Sequence, residues 1–155
     1  MSVDVEIEIR LLGAGDERAL ANAAEDVFDG PVDAALAREF LADPRHRIAA
    51  ALEGERLVGF ASAVEYVHPD KPAELWVNEV GVAPTHHGRG IGKRLLSALF
   101  DAARAAGCRQ AWVLTDRANV AAMGLYRAAG GAEAPGDTVM FEFALAAPPT
   151  TPDVS

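Results

Sequence analysis

Residues 76 to 94 read WVNEVGVAPTHHGRGIGKR and join a strand pattern directly to a helix pattern. Apolar residues dominate positions 76–82, and Pro84 ends the strand because proline cannot donate to a β-ladder. Glycines follow at positions 88, 90 and 92, and glycine permits the left-handed conformations that turn successive N–H groups into one concavity. The helix that follows adds unpaired N–H groups and a positive dipole end. This stretch therefore predicts a loop that binds a phosphate group.

The glycine spacing excludes two common nucleotide loops. A dinucleotide fingerprint needs G-x-G-x-x-G, but position 95 is Leu. A Walker loop needs one more residue between Gly88 and Gly92, and it needs Ser or Thr where this chain has Arg94. The stretch from His87 to Gly92 instead resembles the R/Q-x-x-G-x-G/A loop of the GNAT family of N-acetyltransferases, with His87 in place of the usual Arg or Gln. The alternative is a plain strand–turn–helix connection that binds nothing.

Length and composition predict one globular domain. The chain has 155 residues, of which 50% are hydrophobic and 24% charged, enough for a single core. We expect the domain to cover residues 1–145, and we expect residues 146–155, AAPPTTPDVS, to form a disordered tail.

Several features favour a cytoplasmic protein. No apolar run reaches the ~18 residues that a membrane span needs, so we expect no membrane partner. The acidic, alternating N-terminus resembles neither a signal nor a transit peptide. The single cysteine, Cys108, cannot form an internal disulfide. We interpret Cys108 as a small buried residue rather than a nucleophile.

Charge is unevenly distributed along the chain. The net charge of −9 argues against a nucleic-acid partner. Residues 86–110 nevertheless contain five Lys or Arg (89, 93, 94, 104, 109) and one acid, Asp101. A basic patch on an acidic body suits an anionic coenzyme and a cationic second substrate, although acidity also simply aids solubility.

Periodicity predicts a mixed α/β (α+β) fold. The predicted strands are 5–11, 48–52, 57–66, 74–82, 110–115 and 138–145, with 132–134 as a short partner. The predicted helices run from Asp16 to about Phe28, 34–42, 91–106 and 120–129, with Asp16, Asp33 and Asn119 as caps and with Gly107 and Gly130 at helix ends. A right-handed crossover would make strands 74–82 and 110–115 parallel neighbours. The resemblance implies the GNAT fold, a mixed sheet of six to seven strands flanked by about four helices.

A second motif lies at the predicted last helix. Asn119-x-x-Ala122-x-x-x-Tyr126-x-x-x-Gly130 resembles the N-x-x-A-x-x-x-Y-x-x-x-G pattern of the same family. The resemblance implies that Asn119 bonds the pantetheine arm of acetyl-coenzyme A and that Tyr126 acts as general acid toward the leaving thiolate. Taken alone, a tyrosine in an alanine-rich helix more often belongs to the core.

Acetyl transfer from a thioester to an amine by direct attack needs a base, an oxyanion donor and an acid for the leaving group. Glu79 is the candidate base, because it is the one acid in the apolar part of its strand and we expect it to be buried. The alternative is an acid on a solvated strand face. No metal is expected. The resemblance implies that acetyl-coenzyme A is the co-substrate and is bound by Val80, Gly81, Val82, His87, Gly88, Arg89, Gly90, Ile91, Gly92, Lys93, Asn119 and Tyr126.

The acceptor is a further inference from resemblance. Residues 48–145 are similar to aminoglycoside 3-N-acetyltransferases of this superfamily, which implies a small cationic amine as acceptor. We predict that Glu65, Asp116 and Glu142 bind ammonium groups of the acceptor. Tyr66 is a further predicted acceptor-binding residue. The acids of the first two helices could attract a cation, but a solvated helix face is the simpler interpretation. Alternative acceptors are polyamines, metabolite amines and protein amines, and a non-catalytic coenzyme-binding module is the alternative from another class. Many relatives are dimers, so a homodimer is possible.

Overall fold

The computed structural model describes residues 5–146. The strands are β1 (Ile7–Leu12), β2 (His46–Glu53), β3 (Arg56–Tyr66), β4 (Glu74–Val82) and β5 (Ala111–Val113). The helices are α1 (Glu17–Ala21), α2 (Ala34–Ala42), α3 (Ile91–Ala105) and α4 (Val120–Ala128), with a 3₁₀ turn at Pro84–His86. This arrangement confirms the predicted mixed α/β class. Most of the predicted tail, residues 147–155, lies outside the described residues.

The five strands form one mixed sheet in the order β1-β2-β3-β4-β5. The first three pairings are antiparallel. β4 and β5 are parallel, with Trp76 opposite Trp112, as the crossover rule predicts. The parallel pair covers only the first half of β4, from Leu75 to Val77. The second half of β4 therefore has no neighbour on that side among the described strands, and it is this half that leads into the glycine loop.

α3 packs on one face of the sheet and supplies much of the core. Leu95, Leu96 and Leu99 are at most 1% exposed, as expected of the inner stripe of an amphipathic helix. The central strands meet this helix with small residues, and a side chain on Gly59 would stand 3.4 Å from both Ile91 and Leu95. Small residues on the sheet thus allow the helix, and the loop at its N-terminus, to approach the strands closely.

The first helix is much shorter than the sequence predicts. α1 ends at Ala21, and the prediction that it continues to about Phe28 is wrong. The chain instead pairs with the start of β3, because Leu57 donates to the Asn22 carbonyl at 3.0 Å and Ala24 donates to the Leu57 carbonyl at 2.8 Å. Asp16 does not cap α1, since its carboxylate accepts from the Gly13 N–H at 2.8 Å. Tertiary pairing here prevails over helix propensity.

The end of the chain also differs from the prediction. The described residues contain five strands rather than six or seven, and neither 138–145 nor 132–134 is a strand. β5 is confined to three residues of the predicted six. The other helices agree closely with the sequence: Asp33 caps α2 by accepting from Leu36 at 2.9 Å, and Gly107 follows α3 with φ +96°. Local signals therefore predicted these three helices well. The alternating pattern of residues 138–145 did not suffice to form a strand.

Candidate active site

The glycine loop adopts the left-handed conformations that its composition predicts. Gly88 has φ +76° and Gly90, the residue before α3, has φ +74°. A side chain at either position would meet no atom within 4 Å. These glycines are therefore required by backbone conformation, and the space in front of the loop is open. The exposed N–H groups at the start of α3 make a cradle that fits a diphosphate.

Gly92 serves a different purpose from the other two glycines. It lies inside the first turn of α3, and a side chain there would come within 3.0 Å of the Leu125 side chain. The absence of a side chain lets α4 pack against the N-terminus of α3. This contact fixes where α4, the helix that carries Tyr126, packs against the start of α3.

Two histidines attach the loop to the sheet. His87 donates from Nε2 to the Val82 carbonyl at 2.8 Å, so its ring fastens the loop to the end of β4. His86 approaches Thr85 with Nδ1 and the Glu53 carboxylate with Nε2, both at 2.8 Å. The hydrogen bond from His86 holds the pKa of Glu53 below its usual value. His87, the departure from the family pattern, therefore has a clear positioning contact.

The basic residues of the loop divide into two groups. Arg89 and Lys93 are exposed beside the cradle, where they can add positive charge. Arg94 instead donates to the Ile7 carbonyl at 2.9 Å and ties α3 to β1. A cavity of about 660 Å³ lies on that side and is lined in part by Glu6, Arg89 and Arg94.

A β-bulge lies next to Glu79, the candidate base. Ser62 pairs with Glu79 and Ala63 pairs with Val77, so Asn78 is an extra residue on β4. Asn78 and Glu79 are both exposed, and the expectation that Glu79 is buried is wrong. Bulges re-aim side chains and recur beside active sites. The sequence did not reveal this bulge, beside which Glu79 is exposed in the second half of β4.

The segment between α1 and α2 covers β4 just beyond Glu79. A side chain on Gly81 would stand only 2.4 Å from the Val27 carbonyl and 2.9 Å from the Phe60 ring. Phe28 stacks on Phe60 with ring centroids 4.1 Å apart. Because residues two apart on a strand face the same side, Glu79 and Gly81 both face this segment. Sequence analysis missed this contact, since nothing in the sequence pairs Val27 with Gly81.

An acidic pocket lies in the same segment. Its volume is about 550 Å³, and its lining includes Phe28 and three acids, Glu25, Asp26 and Asp29. Asp26 has φ +61°, the one positive φ of a non-glycine residue among residues 5–146. The sequence favoured a solvated helix face for these acids. The structure leaves all three acids exposed, beyond the end of α1, around a concavity in the segment that contacts Gly81.

α4 carries the second motif. The Asn119 side chain accepts from the Ala122 N–H at 3.1 Å, so its amide oxygen caps the helix, which leaves its NH₂ group as the part that could donate to a ligand. Tyr126 is half-buried, and burial raises the pKa of its phenol above the usual 10.0. The phenol therefore keeps its proton throughout the neutral range.

The four predicted acceptor-binding residues have different surroundings. Arg47 binds the Glu65 carboxylate at 2.9 Å, so that carboxylate already has a cationic partner. Tyr66 packs edge-on against His68 at the end of β3, about 13 Å along the strand from Ser62 by strand rise. Asp116 is exposed in the loop after β5, and Glu142 is exposed in the segment after α4. The predicted roles of these residues stay predictions.

Comparisons with known proteins identify a family model and several relatives that match this chain. The model of the acetyltransferase (GNAT) family matches residues 17–130. The N-alpha-acetyltransferase RimI of Mycobacterium tuberculosis is 37% identical over 84% of this chain and 82% of its own. The streptothricin acetyltransferase of Streptomyces lavendulae is 34% identical over 65% of this chain and 51% of its own.

Solved structures show the same fold. An aminoglycoside acetyltransferase from an uncultured soil metagenomic sample, in complex with trehalose, has a TM-score of 0.78 at 19% identity, covering 93% of this chain and 99% of that one. An aminoglycoside N-acetyltransferase in complex with CoA has a TM-score of 0.74 at 22% identity, covering 91% and 96%. No helix within residues 5–146 has the length and apolar character to cross a membrane.

Proposed function

Because the chain belongs to the acetyltransferase (GNAT) family, we propose that it acetylates a primary amine of a small cationic acceptor by direct attack. The protein is an N-acetyltransferase and acetyl-coenzyme A is its co-substrate. The roles of individual residues and the nature of the acceptor are our proposal. The observation that carries it is the acidic pocket whose segment contacts Gly81, two residues from Glu79.

The coenzyme fits the open side of the glycine loop. Its diphosphate would accept hydrogen bonds from N–H groups between Gly88 and Lys93, with added charge from Arg89 and Lys93. The pantetheine arm would run along the second half of β4, Val80 to Val82, where the described strands leave the β4 edge unpaired. The NH₂ group of Asn119 is available to bond this arm. The acetyl group would then lie near Glu79.

The chemistry requires proton transfers at the amine and at the thiolate. Glu79 takes a proton from the acceptor ammonium, directly or through water, and the free amine attacks the acetyl carbon. The new C–N bond forms, the C–S bond breaks, and the departing thiolate receives the proton of the Tyr126 hydroxyl. The nitrogen loses its second proton as the amide forms, and that proton returns through solvent to the Tyr126 phenolate. A main-chain N–H of β4 stabilises the oxyanion in between. Tyr126 is protonated when the thiolate leaves, because burial raises the pKa of its phenol above the usual 10.0, and the same shift makes the phenol a weaker proton donor.

The pocket supports a cationic acceptor. Glu25, Asp26 and Asp29 line one concavity in the segment that contacts Gly81, and clustered carboxylates raise the local concentration of a cation. A small polyamine, including an aminoglycoside, has several ammonium groups to match them. The similarity to a streptothricin acetyltransferase is in line with this acceptor class.

A second acceptor class is favoured by a different observation. The relative with 37% identity over most of both chains is an N-alpha-acetyltransferase. By that comparison the acceptor would be the α-amine at the N-terminus of a polypeptide, with the acidic pocket receiving the positively charged terminus.

A thiol-release assay separates these possibilities. Purified protein is given acetyl-coenzyme A with aminoglycosides, linear polyamines or peptides with free N-termini. We expect amine-dependent release with a cationic acceptor, and a loss of kcat of about 10²-fold or more in Glu79→Gln. Glu74→Gln, at the far end of β4, is the control. Coenzyme binding without release for any amine would contradict the enzymatic proposal, and release with peptides alone would select the second acceptor class.

A further inference from the structure

The two tryptophans of the chain lie together on neighbouring strands. Trp76 of β4 and Trp112 of β5 are register partners, and their rings stack with centroids 4.9 Å apart and planes 10° apart. Both residues are partly exposed. In a stack each ring covers one face of its partner, so one face of each indole stays free of the other ring. The coenzyme and base contacts described above leave this pair without a role.

The sheet register places the pair on the same face as Glu79. Every second residue of β3 faces one side of the sheet, and on one side these residues are Phe60, Ser62 and Val64. Their partners on β4, in the same order, are Gly81, Glu79 and Trp76. Because paired residues share a face, Trp76 and Glu79 point to the same side. They are three residues apart in sequence, and the extra residue Asn78 at the bulge is what allows this.

The stack lies a short distance along the sheet from Glu79. The step from Ser62 to Val64 on β3 corresponds to about 7 Å along the strand. The parallel pairing of β4 with β5 ends at Val77, so the two strands part immediately beyond the stack. An acceptor that reaches Glu79 and extends about 7 Å along β4 therefore reaches the indole rings.

A free indole face attracts a cation. The ring quadrupole binds an ammonium within about 6 Å of the ring centroid, and tryptophan does so better than tyrosine or phenylalanine. The carboxylate two residues before Trp76 belongs to Glu74, which already has Lys71 as a cationic partner at 3.9 Å. The chain as a whole carries a net charge of −9, and Glu79 on the same face is exposed. Charge complementarity therefore favours a positively charged occupant of this face.

We infer that Trp76 binds a second ammonium group of the acceptor while the reacting amine lies at Glu79. The inference rests on the proposed function, because it takes Glu79 as the group that receives the reacting amine. The acceptor class is then a diamine or polyamine with two amines about 7 Å apart. Trp112 is a positioning residue in this arrangement, since its stacked ring fixes the orientation of the Trp76 ring.

Steady-state kinetics with a matched pair of acceptors tests the inference. One acceptor is a linear diamine, and the other is the amino alcohol of the same length, in which a hydroxyl replaces the second amine. In Trp76→Leu we expect the ratio of kcat/KM for the diamine to kcat/KM for the amino alcohol to fall about 3- to 30-fold. Trp76→Phe should give an intermediate ratio, because phenylalanine has a weaker quadrupole. Leu36→Ala, on α2 and 65% exposed, is the control and should keep the wild-type ratio.

The ratio separates cation binding from packing. A general loss of apolar contact or of structure would lower kcat/KM for both acceptors equally, and the KM for acetyl-coenzyme A would change with it. An unchanged ratio in Trp76→Leu, with amines still acetylated, would overturn the inference and leave the proposed function in place.

NMR supplies a measurement that needs neither turnover nor a variant. Because the chain has two tryptophans, its indole N–H signals report on this pair alone. With coenzyme A bound, we expect the diamine to shift these signals at concentrations where the amino alcohol does not. Such shifts without acetylation of any amine would support the cation site and contradict the catalytic proposal. No shift with the diamine, or equal shifts with both compounds, would overturn the inference.

Discussion

Gly81→Ala probes the contact between β4 and the segment that joins α1 to α2. The added methyl would stand 2.4 Å from the Val27 carbonyl and 2.9 Å from the Phe60 ring, whereas ordinary contact begins at 3.4 Å. The Val27 carbonyl must therefore retreat by about 1 Å. The ring cannot absorb the change freely, because it is stacked on Phe28. Overpacking of this kind costs typically about 1–3 kcal/mol.

These values translate into two measurements. For a chain of this size each kcal/mol lowers Tm by about 2–4 °C, so we expect a fall of about 2–12 °C in thermal unfolding. A displacement of about 1 Å in the substrate site can lower the reaction rate by about 10²-fold. In Gly81→Ala we therefore expect a higher KM for the amine and a lower kcat. The affinity of Gly81→Ala for acetyl-coenzyme A should equal that of the wild type, because the main-chain groups of β4 and the glycine loop are retained.

The control is Gly13→Ala, where a side chain meets no atom within 4 Å and φ is not positive. This variant should unfold at or slightly above the wild-type temperature and keep full activity. If Gly81→Ala matches Gly13→Ala in both Tm and amine KM, the α1–α2 segment does not rest on β4 as described, and the acidic pocket has no fixed relation to Glu79.

Three further predictions test separate parts of the structure. Tyr126→Phe should lower kcat by about 10²-fold with little change in coenzyme affinity by calorimetry; equal turnover would remove its acid role. Because the pKa of Glu53 is lowered by His86, its carboxylate stabilises the fold above about pH 4.5, and this contribution is lost as pH falls through the lowered value. Glu53→Gln should therefore lose less stability than wild type on acidification, and parallel Tm curves would contradict the pairing. Gly124→Ala, in the interior of α4 with open space around it, should raise stability by about 0.5–1 kcal/mol, and a loss would mean that α4 packs differently.

The glycine loop and the last three helices could be predicted because their causes are local. Left-handed glycines at 88 and 90, and side-chain caps at Asp33 and Asn119, follow from residue type and spacing. The sequence alone indicated only part of the role of Gly92. Its place in the motif suggested the ligand, whereas the structure shows that it admits Leu125 of α4.

The features missed by the sequence depend on distant partners. The early end of α1 follows from hydrogen bonds to Leu57, and the exposed Glu79 lies beside a bulge opposite Ser62. The segment that carries the acidic pocket contacts Gly81 through Val27. The wrong prediction for residues 138–145 also has its cause in a distant partner. Their alternation predicted a strand, but a strand needs a partner, and the single chain does not provide one.

The central claim is that the glycine loop grips the diphosphate of acetyl-coenzyme A, and calorimetric titration tests it most directly. Gly90→Glu places a negative charge and a side chain at a residue with φ +74°, while Gly13→Glu adds the same charge in open space far along the chain. We predict that wild type and Gly13→Glu bind acetyl-coenzyme A alike. Gly90→Glu should bind about 100-fold more weakly or not at all, because like charges in contact cost several kcal/mol and about 1.4 kcal/mol is tenfold. Equal affinity in all three proteins would contradict the claim.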